Sequence, residues 1–184
     1  DGKPFSDHVD SEDMGVLFFD ADSDGDPDLY VSSGSYEYKK GDPLVRDRLY
    51  LNDGSGQFVS APEGSLPEFT DNSSVVCGAD LDRDGDLDLF VGGRVLSGEY
   101  PLAGTSRILI NESVPGKSVR FVAASNDQVS AVSKAGMVTS ALWTEINGDG
   151  WIDLMITSEW GPVRVFLNDS GKLVEATKES GLEN

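Results

Sequence analysis

Three short stretches of this chain carry residues able to do chemistry. Asp20, Asp22, Asp24, Asp26 and Asp28 surround Gly25, and Asp80, Asp82, Asp84, Asp86 and Asp88 surround Gly85. Glu145, Asn147, Asp149 and Asp153 surround Gly150, with Trp151 where the other two stretches have an aspartate. Each reads acid-x-(Asp/Asn)-x-Asp-Gly-x-x-Asp and runs into an apolar segment: Leu29-Tyr30-Val31, Leu89-Phe90-Val91 and Leu154-Met155-Ile156. Carboxylates crowded this closely repel one another strongly unless a cation sits among them. Oxygen ligands on alternate residues, with a glycine for the sharp bend, suit Ca²⁺, a hard cation that takes six to eight oxygens. An EF-hand would need a bidentate Glu at loop position 12 and flanking helices. Position 12 here is Val31, Val91 or Ile156, and the flanks read as strands, so that loop type is excluded. The remaining alternative to a metal site is a set of solvated acidic turns. The third loop, with Glu at position 1 and Asn at position 3, has the fewest charges and is expected to bind most weakly.

The loops begin at residues 20, 80 and 145, a period of 60 to 65 residues, and two further markers recur with them. Val16–Phe19, Val75–Ala79 and Met137–Trp143 precede the loops and read as inner strands. Arg48–Asn52, Arg107–Asn111 and Val163–Asn168 follow, each opening a turn that leads to Gln57–Val59, Arg120–Val122 or Lys172–Val174. Alternating or β-branched segments around Asn/Asp/Gly turns are hairpins. No helical period persists. Each unit is therefore strand A, acidic loop, strand B, connector, strand C, short turn, strand D: four antiparallel strands, the pattern of a β-propeller blade. The fold class is all-β, with about three blades that form part of a larger propeller. The expected divisions are the end of a preceding blade over 1–14, with its D strand and linker, then blades over 15–74, 75–135 and 136–184.

The loops and their spacing resemble FG-GAP/VCBS repeats, the blades of the integrin α-subunit propeller and of many secreted bacterial proteins. The stretches Leu51–Phe58 and Phe166–Leu182 look like the repeat tails of cartilage-acidic-protein-like members. The resemblance implies side-chain ligands at loop positions 1, 3, 5 and 9 and a backbone carbonyl at position 7. It thus implies three Ca²⁺ sites: Asp20, Asp22, Asp24, Asp28 with the carbonyl of Asp26; Asp80, Asp82, Asp84, Asp88 with that of Asp86; and Glu145, Asn147, Asp149, Asp153 with that of Trp151.

Composition narrows the function classes. The 184 residues carry a net charge of −19, and the three loops hold 13 of the 33 acidic residues. Such a field disfavours nucleic acid and anionic membrane surfaces, and no apolar run approaches a membrane span. Cys77 is the single cysteine, so no intrachain disulfide forms. The calcium reading favours an extracellular, secreted or cell-surface location, where calcium is plentiful. His8, the only histidine, has no visible nucleophile beside it, and the clustered carboxylates belong to the loops, so the chain reads as non-enzymatic. Asn72, Asn111 and Asn168 begin N-glycosylation sequons, but Asn111 and Asn168 hold the same hairpin position as Asn52, so a turn role explains them better.

Alternating strand direction puts the acidic loops and C–D turns on one face and the long connectors, about residues 32–46, 60–74, 92–106 and 123–136, on the other. Integrin-like propellers bind partners on that other face, and long loops on a rigid scaffold are where function sits. Tyr36, Tyr38, Arg46, Arg94 and Tyr100 are the expected ligand-contacting residues there. The expected partners are a protein or polysaccharide ligand, together with neighbouring segments of a larger propeller or self-association. The favoured function is a calcium-stabilised propeller segment of an extracellular adhesion or ligand-binding protein; the alternative is the propeller part of a secreted polysaccharide-active enzyme.

Overall fold

In the computed structural model, which describes residues 4–69 and 71–182, the alternating segments form three four-stranded antiparallel sheets. The first holds β1 (Asp13–Phe19), β2 (Asp28–Ser33), β3 (Arg48–Asn52) and β4 (Phe58–Ser60). The second holds β5 (Ser73–Ala79), β6 (Asp88–Gly93), β7 (Arg107–Asn111) and β8 (Phe121–Ala123). The third holds β9 (Val138–Thr144), β10 (Asp153–Ser158), β11 (Arg164–Asp169) and β12 (Lys172–Glu175). Strand order follows the chain within every sheet, and each pair is antiparallel. The inner strands β1, β5 and β9 are neighbours in that order, so consecutive sheets stack like blades. Each inner strand pairs with a register shift near its connector-side end, between Asp13 and Gly15, between Ser73 and Val76, and opposite Thr157–Ser158. A bulge repeated at one place in every unit increases twist there and is a built feature of the repeat.

The core lies between blades. Phe19, Tyr30 and Leu49 of the first sheet pack on Val76, Leu89, Val91 and Leu109 of the second. Leu81, Phe90 and Ile108 of the second pack with Trp143, Leu154, Ile156 and Phe166 of the third. Burying each of these large apolar side chains contributes about 1.5–3 kcal/mol. The middle sheet is covered on both faces, so every residue of β6 is buried, whereas β1 alternates: Leu17 and Phe19 turn inward while Val16 and Phe18 stay exposed. The closeness of the inner strands requires missing side chains. A Cβ on Gly15 would lie 2.8 Å from the Ser74 carbonyl oxygen, and one on Gly92 2.8 Å from Val138 Cγ1. Ser32 of β2 donates to the Ser74 carbonyl (3.0 Å) and Ser74 of β5 to the Val138 carbonyl (2.8 Å), so a serine hydroxyl bridges each blade junction.

Two stretches differ from the sequence reading. The connector 123–136 is not a plain surface loop. It holds the short helix α1 (Asn126–Val129) and a 3-10 turn (Val132–Lys134), which carry Val129, Val132 and Ala135 into the core between the second and third sheets. A four-residue helix is too short to show a period, but its capping box was present in the sequence: Ser125 and Gln128 bond reciprocally. Toward the N-terminus, where a D strand of a preceding blade was expected, the described residues from Pro4 onward hold a 3-10 turn (Ser6–His8) instead. That backbone bonds locally, through His8 N–H to the Phe5 carbonyl and Ser11 N–H to the His8 carbonyl. The expected turn at Asp1–Phe5 lies partly outside the described residues. No helix among the described residues is long and apolar enough to cross a membrane.

Candidate metal loops and the opposite face

Each acidic loop joins the end of an inner strand to the second strand of its sheet, and all three fold by the same local device. Positions 4 and 6 are left-handed: Ser23 and Gly25, Arg83 and Gly85, Gly148 and Gly150, with φ between 60° and 101°. Two such reversals turn the side chains of the alternate acids inward. In the first loop Asp20 accepts from Asp24 N–H (3.1 Å) and Gly25 N–H (2.9 Å), and Asp24 accepts from Asp26 N–H (2.9 Å). In the second, Asp80 accepts from Gly85 N–H (3.2 Å), Asp82 from Asp84 N–H (3.3 Å) and Asp84 from Asp86 N–H (3.2 Å).

The position-9 aspartates, Asp28, Asp88 and Asp153, are buried, and each makes the same two bonds. One oxygen accepts the N–H of loop position 2 (Ala21, Leu81 or Ile146) at 2.8–3.0 Å. The other accepts the N–H of the last asparagine of strand C (Asn52, Asn111 or Asn168) at 2.8–2.9 Å. This carboxylate clamps the loop to the C–D hairpin, a role that nothing in the loop's own sequence reveals. The hairpin closes against the loop from the other side: a Cβ on Gly54 would lie 2.4 Å from Asp26 Oδ2.

The loops differ in how much charge they leave unbalanced. One oxygen each of Asp20, Asp22 and Asp28 lies within 4.8 Å of the others, and so do oxygens of Asp80, Asp82 and Asp84. Among the described residues no such cluster occurs in the third loop. Oδ1 of Asp22, Asp80 and Asp86 is buried without any hydrogen-bond donor. Burial, then the neighbouring carboxylates, pushes the Asp86 carboxyl up to about 7. Burial pushes that of Asp88 up to about 6. Asp22 and Asp82 are raised by the same causes. The third loop is balanced from within. Asp149 accepts from Trp151 N–H (2.7 Å) and from the Asn147 amide (2.8 Å), which hold its carboxyl below the usual range. The Arg83 guanidinium of the second loop lies 3.7 Å over the Trp151 ring and adds positive charge beside Asp149. Arg83 gave no signal in the sequence, because its partner is 68 residues away.

On the opposite face the structure gathers some of the expected contact residues and separates others. Tyr36, Tyr100 and Trp160, one from each blade's B–C connector, meet edge to face with ring centroids 6.5 and 5.5 Å apart. Beside them Arg94 pairs with Glu159 (2.5 Å), which also accepts from the Tyr100 hydroxyl (3.0 Å). Tyr38 instead donates to the Asp10 carbonyl, and Arg46 lies near Glu68 (3.5 Å) beside a different pocket. A cavity on this face is also lined by Glu159, which was not singled out in the sequence, and by Asn72, which was read only as a sequon asparagine. The asparagines of all three sequons are buried with their amides bonded. Asn111 reaches the Ala21 carbonyl (3.4 Å) and Asn168 the Leu81 carbonyl (2.9 Å), so each ties its blade to the loop of the previous one. Burial pushes the Cys77 thiol up to about 12, which leaves no thiolate at neutral pH.

No curated protein matches the chain. Residues 20–91, from the first acidic loop through β6, match the family model of the FG-GAP-like repeat. The same four-stranded antiparallel unit occurs three times, so the chain is an all-β array of blade-like sheets, and its residues 20–91 are similar to the FG-GAP-like repeat, a β-propeller blade.

Proposed function

We propose that this chain is a non-enzymatic, calcium-stabilised segment of a β-propeller in an extracellular adhesion or ligand-binding protein. The observation that carries the metal reading is the pair of buried, donor-free carboxylate oxygens on Asp22 and Asp80, each within a cluster of three carboxylates. A buried anionic oxygen without a donor is costly, and a hard divalent cation is the partner whose chemistry suits a set of carboxylates. Asp20, Asp22, Asp24 and Asp28 would hold one ion and Asp80, Asp82, Asp84 and Asp88 another, with the carbonyls of Asp26 and Asp86. Glu145, Asn147, Asp149, Asp153 and the Trp151 carbonyl would form a third, weaker site. The ion's contribution is structural: it cancels repulsion where the position-9 clamp already fixes the loop to the hairpin. Extracellular calcium is abundant enough for such sites, which favours a secreted or cell-surface location.

The repeated contacts between blades support membership in a larger ring. At each internal junction a loop position-2 residue, Ala21 or Leu81, is fully buried and its carbonyl receives the next blade's asparagine. The third equivalent, Ile146, is 39% exposed, and Leu142 on the same open side is 60% exposed. On the first sheet Met14, Val16 and Phe18 are likewise uncovered. A further blade, from the same protein or a second copy, is the occupant that would repeat the internal junctions. Partner contacts come from the connector face, at Tyr36, Arg94 and Tyr100. Thermal melting in EDTA and in excess Ca²⁺ tests the metal reading: a higher midpoint with Ca²⁺ is expected, and an unchanged midpoint would overturn it.

A further inference from the structure

The connector face carries a cavity of about 490 Å³ where the three blades converge, lined by Tyr36, Tyr100, Asn72, Arg94 and Glu159 among others. That volume lies within the range of small-ligand pockets, about 300–1,000 Å³. Three features of its wall define a ligand. First, the aromatic rings of Tyr36 and Tyr100 line it, 52% and 49% exposed, and Trp160, 67% exposed, packs edge to face on Tyr100 just outside the lining. They come from connectors about 60 residues apart in sequence and meet only because the blades converge. Rings of this kind offer apolar faces on which a flat, weakly polar surface packs. Second, Arg94 is half of an ion pair, yet its Nη1 is buried with no hydrogen-bond partner. Its planar fork is therefore held in place by Glu159 while both N–H groups of Nη1 lack an acceptor, which a ligand oxygen would supply. Third, Glu159 is neutralised by Arg94 and fixed by the Tyr100 hydroxyl, so the pair presents a donor and an acceptor side by side with no net charge.

We infer that this cavity is a binding site for a neutral saccharide. A sugar ring has an apolar face of C–H groups for the aromatic rim and hydroxyls that both donate and accept, matching Arg94 and Glu159 together. A free carboxylate ligand would answer Arg94 but meet Glu159 and the field of a chain with net charge −19. A cationic side chain would suit that field and the Glu12 carboxylate on the same wall, but would meet the Arg94 guanidinium there. The inference rests on the reading of the connector face as the partner face and is independent of the metal loops, which lie at the other end of the strands.

The test uses tryptophan fluorescence and calorimetry of the whole chain in saturating Ca²⁺. The probes are neutral tetrasaccharides of glucose, mannose, xylose and N-acetylglucosamine, with oligogalacturonate and an Arg/Lys-rich peptide as charged comparisons. At least one neutral saccharide is expected to bind and to change the emission of Trp160. Trp160→Ala and Arg94→Gln should each weaken that binding tenfold or more, while Trp160→Phe retains it. Far-ultraviolet circular dichroism and melting midpoints matching the unmodified chain show that the variants remain folded. Absence of binding by every neutral probe overturns the inference. So does binding of the acidic oligosaccharide or of the cationic peptide alone, or equal affinity in the Ala and Gln variants. Failure here leaves the calcium melting result untouched, so the two readings fall separately.

Discussion

Replacing Asp153 by alanine and measuring in EDTA separates the position-9 clamp from metal binding, in the loop that carries the least unbalanced charge. The carboxylate is fully buried and accepts the N–H groups of Ile146 and Asn168, both at 2.8 Å. Asn168 is itself 1% exposed, so no water reaches its N–H in place of the lost oxygen. Orphaning that donor costs about 1–3 kcal/mol. The Ile146 N–H sits nearer the surface, and losing its charge-assisted bond costs about 1–2 kcal/mol net once water replaces it. Asp153→Ala should therefore destabilise by roughly 2–5 kcal/mol, a fall in melting temperature of about 4–20 °C for a chain of this size. Asp153→Asn keeps one acceptor and turns an amide donor toward the other N–H, so it should lose about half as much. Urea unfolding in EDTA measures both, with an unchanged m value confirming that the same surface is exposed. If both variants fall within about 0.5 kcal/mol of the unmodified protein, the range of ordinary surface substitutions, the clamp does not hold the loop to the hairpin.

Leu81→Ala should cost about 2–5 kcal/mol in urea unfolding, because Leu81 is fully buried between the second and third blades. Ile146→Ala, at the equivalent but open position, should cost less than 1 kcal/mol; equal losses would contradict the stacking described. Arg83→Ala should lower stability in EDTA by about 0.5–1 kcal/mol through the lost stacking on Trp151. It should also strengthen Ca²⁺ binding at the third loop, which calorimetry reads directly. Hydrogen bonds from Arg164 hold the Glu175 carboxyl below its usual value. A depressed folded value stabilises above the unfolded carboxylate range and is lost as pH falls through the lower folded value. The stability difference between the protein and Glu175→Gln should accordingly be present at pH 7, shrink as pH falls below the ordinary carboxylate range, and vanish only below the lowered folded value.

The repeat architecture was readable because each unit states its elements three times. Apolar runs such as Val16–Phe19, the Asn/Asp/Gly turns and the regular loops placed the strands to within about a residue at most ends. Position 9 of the loops was read only as a metal ligand, because its two N–H partners lie on strand C and at loop position 2, and no local pattern encodes that clamp. Arg83 and Trp151 were unreadable as a pair for the same reason: blade stacking, not sequence proximity, brings them together. The aromatic group was half legible. Tyr36 and Tyr100 stood out as connector aromatics, but their convergence with Trp160 depends on three connectors meeting at one end of the inner strands. Tyr38 and Arg46 share that composition yet turn toward Asp10 and Glu68, since exposed connector residues find whatever partner is nearest. The helical connector buried Val129 and Val132 through a cap too local to register against the repeat.

Calorimetric titration of Ca²⁺ into the metal-free protein and its Asp22→Ala, Asp82→Ala and Asp149→Ala variants tests the central claim most directly. The account predicts two tighter sites, one removed by Asp22→Ala and the other by Asp82→Ala, with Asp149→Ala removing only the weakest. Absence of Ca²⁺ binding, or loss of the tightest site in Asp149→Ala, would contradict it.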